Sequence, residues 1–121
     1  MNKRTFPRLA AALTFALAAT AAFAHAQLEK ANPPVGGTVS SPSEIRIKFT
    51  EGLEAKFSGI ALSGPGGAAP LGAVRVDPAD NSVLIVKIGK PLAPGTYTVK
   101  WHAVSIDTHH TQGDFDFTVK P

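Results

Sequence analysis

The sequence predicts an all-β protein: one β-sandwich of about seven short strands behind an export signal. Three observations predict it. After residue 25 no run of apolar residues keeps a helical period. Gly/Pro punctuation instead separates short segments at roughly ten-residue spacing. Within those segments apolar and polar residues alternate, as in Ile45, Ile47 and Phe49 against Glu44, Arg46, Lys48 and Thr50.

Residues 1–24 read as a secretory signal, with Lys3, Arg4 and Arg8 ahead of an apolar stretch from Leu9 to Ala24. That stretch is 16 residues long, short of the ~20 a membrane span needs. Ala22-Phe23-Ala24 is a small-x-small pattern, and cleavage after it makes His25 the first residue. Ala24-His25-Ala26 has the same pattern, and a cut there would leave Gln27 first. The expected division is 1–24 signal and 25–121 domain.

An early strand spans Gln27 to Ala31 and stops at Asn32-Pro33-Pro34. Glu44 to Thr50 is the cleanest strand, and its parity carries Glu51 to the core side. Ser58 to Ser63 is short, and Ser63 to Pro70 reads as a loop. Leu71 to Val76 is weak, and Ser82 to Ile88 is apolar. Thr96 to Val104 is the longest, with Tyr97, Val99, Trp101 and Ala103 on one face. Asp114 to Lys120 closes the domain with Phe115, Phe117 and Val119 inward.

Composition excludes several functions. Lys+Arg total 12 and Asp+Glu nine, but Lys3, Arg4 and Arg8 leave with the signal, so the mature domain is neutral. With no basic run, nothing favours nucleic acid. The chain has no cysteine and one methionine, Met1. Disulfides, thiolate sites, iron–sulfur clusters and side-chain sulfur sites for Cu(I) are therefore excluded from the mature domain.

The chemistry rests on histidine. A terminal His25 offers both its α-amine and Nδ1 to one ion. Asp107 and His109, at i and i+2 of the connection between the last two strands, point the same way if that segment is extended. Two imidazoles, an amine and a carboxylate suit Cu(II). The plainer alternative is a hydrogen-bonded Asp/His turn without metal. His110 points opposite to His109 and reads as solvent-exposed. His102 shares the outward face of Thr98 and Lys100. Glu51 reads equally as a rim carboxylate or a functional one.

The chain resembles the CopC family of small periplasmic copper-resistance proteins. The matching pieces are His25, Asn32-Pro33-Pro34 with Gly36, Ile45 to Glu51, Phe57-Ser58-Gly59, Leu92 to Trp101, and Val104-Ser105-Ile106-Asp107-Thr108-His109 with Gly113 and Phe115. The resemblance implies an immunoglobulin-like (cupredoxin-like) Greek-key sandwich, although the immunoglobulin cysteines are missing. It implies one Cu(II) ion held by His25, Asp107 and His109, with Glu51 a weak ligand or a supporting residue. It implies a periplasmic, monomeric, non-enzymatic copper binder with an inner-membrane copper importer as partner. Some members carry a methionine-rich Cu(I) loop. The comparable region here, Ala61 to Val74, has no methionine. Many members have Pro after the site histidine, where this chain has His110. Two other functions remain open: a copper-dependent oxidative enzyme of the terminal-histidine type, as in lytic polysaccharide monooxygenases, and an interaction sandwich without metal.

Overall fold

The computed structural model describes residues 26–121. Its strands are β1 (Leu28–Asn32), β2 (Thr38–Val39), β3 (Glu44–Phe49), β4 (Gly59–Gly64), β5 (Gly67–Ala69), β6 (Arg75–Asp77), β7 (Asp80–Lys87), β8 (Gly95–Val104) and β9 (His110–Val119). One 3₁₀ turn, Ala55–Phe57, follows β3. The strands form two sheets, ordered β1-β3-β7-β6 and β2-β9-β8-β4-β5. Neighbours such as β3 and β7, or β8 and β4, are distant in sequence, as a Greek-key sandwich requires.

Alternation explains the core. Ile45, Ile47 and Phe49 of β3 are fully buried, as are Leu84 and Val86 of β7. From the other sheet Tyr97, Val99, Trp101, Phe115, Phe117 and Val119 face them. Phe49 meets Trp101 edge-on with ring centroids 5.0 Å apart, and Tyr97 stacks on Phe117 at 5.7 Å. Each such side chain, fully buried, contributes roughly 1.5–3 kcal/mol. These contacts bridge the sheets and stand in for absent disulfides.

The seven expected strands are present, and two short ones are added. β2 is a two-residue piece that pairs parallel with β9. β5 lies inside the segment Ser63 to Pro70 expected as a loop; it folds back on β4, pairing Leu62 with Ala69. Gly67, at φ +95°, makes that reversal. The weak strand expected at Leu71 to Val76 is shifted to Arg75–Asp77, and Leu71 keeps only an isolated bridge to Ile88. β9 starts at His110, four residues before the expected Asp114. Gly113 allows this: a Cβ there would lie 2.7 Å from the Trp101 ring, so only glycine lets the strand run beneath the indole.

Candidate metal centre

Ser105 to His109 link β8 to β9 at one end of the sandwich. Ser105 is fully buried. Its N–H donates to the His109 carbonyl at 3.0 Å, and the Thr108 N–H donates to the Ser105 carbonyl at 2.8 Å. Thr108 has φ +72°, a left-handed conformation rare for a β-branched residue. The connection is therefore a tight turn, not the extended segment that was to align Asp107 with His109. The turn still brings them together: His109 Nδ1 lies 3.2 Å from Asp107 Oδ2. Their side chains are 47% and 48% exposed, so an ion from solvent can reach both.

Ser105 is the residue that sequence reasoning missed. Its Oγ donates to Asp107 Oδ1 and accepts the His109 backbone N–H at 3.3 Å, so one buried hydroxyl holds the Asp107 carboxylate and the His109 main chain. That hydroxyl, and then His109, hold the Asp107 carboxyl below the usual carboxylate range. Asp107 is thus anionic at neutral pH. A serine two residues before an aspartate in a turn is the only sequence signal for this role, and it is a common one.

Glu51 lies just beyond β3 and is half-buried, so the strand's parity carries it only partly inward. It has no ion-pair partner among the described residues. It sits close to the turn in the chain's wiring: the Ile106 N–H donates to the Gly52 carbonyl at 3.0 Å, and Leu53 bridges to Ser105. The chain enters the fold at the same end. Ala26 is fully buried, and the Gln27 N–H donates to Thr50 Oγ1 at 3.0 Å while the Thr50 N–H donates to the Gln27 carbonyl at 2.9 Å. His25, the expected terminal ligand, lies outside the described residues.

On the inner face nearby, Trp101 Nε1 and Thr111 Oγ1 are buried with no hydrogen-bond partner among the described residues. Orphaned polar atoms of this kind favour a further polar group at this end. His102 and His110 are exposed, as expected. Among the described residues no three His, Asp or Glu side chains converge. The donors present, one imidazole and one ionised carboxylate, fit half of a Cu(II) set and need further ligands to complete it.

A family model described as the CopC domain matches residues 28–120. Protein YobA of Escherichia coli (strain K12) is 41% identical over 116 residues, covering 91% of this chain and 90% of that protein. Copper resistance protein C of Xanthomonas campestris pv. juglandis is 41% identical over 110 residues, covering 86% of this chain and 87% of that protein. Among solved structures, PcoC, a methionine-rich copper resistance protein from Escherichia coli, aligns at a TM-score of 0.74 with 36% identity, covering 80% of this chain and all of that one.

Proposed function

We propose a function from one premise: the chain belongs to the CopC family. It binds one Cu(II) ion in the periplasm and sequesters or delivers it, in copper homeostasis or resistance, as a carrier rather than an enzyme. Residues 1–24 are the signal, and residues 25–121 are the copper-binding domain. His25 contributes its amine and Nδ1, His109 an imidazole nitrogen and Asp107 a carboxylate oxygen. Glu51 steadies the site from beside it. An inner-membrane copper importer receives the ion, and the domain works as a monomer.

The observation that carries this reading is the Asp107–His109 pair, 3.2 Å apart at the end of the sandwich where Ala26 enters the core. The names of the relatives support copper as the cargo. PcoC is described as methionine-rich. This chain has only Met1, so the reading here is Cu(II) without a methionine Cu(I) site.

The test is a native mass spectrum of the protein exported to the periplasm, with one equivalent of Cu(II). The expected species begins at His25 and holds one copper, and His109→Ala releases it. A mass beginning at Gln27, or a His25 form that holds no copper, overturns the terminal-histidine site.

A further inference from the structure

The outer face of the β9-β8-β4 sheet carries the two histidines that the site above does not use. In the β8/β9 ladder His102 pairs with Gln112, and Val104 pairs with His110. Both histidines are exposed and stand on the same face, one step apart on the diagonal. The Ser105 N–H donates to the His109 carbonyl, so odd-numbered β8 residues occupy the hydrogen-bonded positions. His102 and Val104 then fall at the closer, non-hydrogen-bonded ones. Side chains on this face do reach across: Thr98 Oγ1 donates to Asp116 Oδ1 at 2.8 Å. Diagonal neighbours have Cα atoms about 7–8 Å apart, within range of long and aromatic side chains. Two imidazoles at that separation can share one ion.

Gly59, Lys100, His102, Gln112 and Asp114 line a depression of about 530 Å³ on this face, with His110 outside its lining. The His102 ring rests over Gly59, where a Cβ would lie 2.3 Å from Cε1. It therefore leans toward β4, away from His110, and sharing an ion with His110 requires a χ1 rotation toward β9. Rotamer exchange of an exposed side chain is fast and cheap.

We propose that His102 and His110, with the amide oxygen of Gln112, the residue opposite His102, form an accessory site for a second borderline divalent ion, Cu(II) being the strongest binder. Imidazole and amide oxygen are donors that Cu(II) accepts, and it heads the divalent affinity order. The site is weaker than the one at Asp107–His109, since it has two imidazoles and no anionic ligand.

The test uses the exported chain with an excess of Cu(II), read by native mass spectrometry and calorimetry. A second copper is expected. His102→Gln and His110→Gln should each weaken it at least about tenfold and leave the first ion in place. Gly59→Ala, whose Cβ displaces the resting imidazole toward β9, should tighten the second ion. His109→Ala should remove the first ion, so failure of the main site reads separately from failure of this one. A wild-type chain that takes no second copper, or a second copper indifferent to both glutamine variants, overturns the proposal.

Discussion

Two regions of the molecule pair acidic with basic side chains, and they do it differently. On the outer face of the four-stranded sheet, Arg46 bonds Glu44 at 3.2 Å and also Asp77, while Lys48 Nζ reaches Asp80 at 2.9 Å and Ser82 Oγ at 2.6 Å. At the β8–β9 turn, Asp107 faces His109. On the sheet face two aspartates each accept several hydrogen bonds. Asp77 accepts the Ala79 N–H as well as Arg46, and Asp80 accepts both the hydroxyl and the N–H of Ser82 as well as Lys48. Both are held below the usual carboxylate range, Asp77 first by the Ala79 N–H and Asp80 first by the Ser82 hydroxyl. Their cations are permanent. Asp107 is lowered too, but its partner is an imidazole, which can give up its proton and accept a metal instead. A depressed carboxylate therefore does not mark a site by itself. The exchangeable partner does.

The change expected to destroy both regions at once is Phe49→Ala. It removes the ring wedged against Trp101 and should cost about 3–5 kcal/mol, seen as a large drop in thermal midpoint. A wild-type midpoint would mean the inter-sheet core does not carry the fold. Next, His109→Ala should weaken Cu(II) at least about 100-fold in a competition titration, more than losing a supporting partner costs, with the apo fold unchanged. Equal copper affinity would make the turn as structural as the sheet face. Ser105→Ala, which releases both Asp107 and His109, should cost about 10–100-fold in copper affinity. It should also raise the Asp107 titration in NMR. No change in either would leave Ser105 a filler of space.

The comparison also predicts two separate acid transitions. Asp77, Asp80 and Asp107 have lowered folded values. Their stabilisation is complete above the ordinary carboxylate value of about 3.9 and is lost as pH falls through the folded values. Acid unfolding by circular dichroism should therefore begin below about pH 4. Copper should leave earlier, below about pH 5, because amine and imidazole must be deprotonated to bind. Coincident curves would tie metal release to unfolding instead. The smallest effect belongs to Asp77→Asn: a slight, salt-dependent loss of thermal stability with copper affinity untouched. A changed copper affinity there would erase the distinction between the regions.

The sequence alone determined the seven main strands and the inward set, because a period of two forces Ile45, Ile47 and Phe49, or Tyr97, Val99 and Trp101, to one face whatever the partner strand. It also named Asp107 and His109, since nearby residues of ligand type meet in most local geometries. What it did not determine was how they meet. The extended segment is a left-handed turn at Thr108, held by Ser105, whose hydroxyl is defined by burial and not by neighbours in sequence. Only the tertiary structure brought Gln27 beside Thr50, Gly52 beside Ile106, and His102 onto the diagonal of His110. The first two contacts join segments far apart in the chain, and the third depends on the register across the β8–β9 turn. Strand pairing and its register decide them, and local pattern carries no record of either.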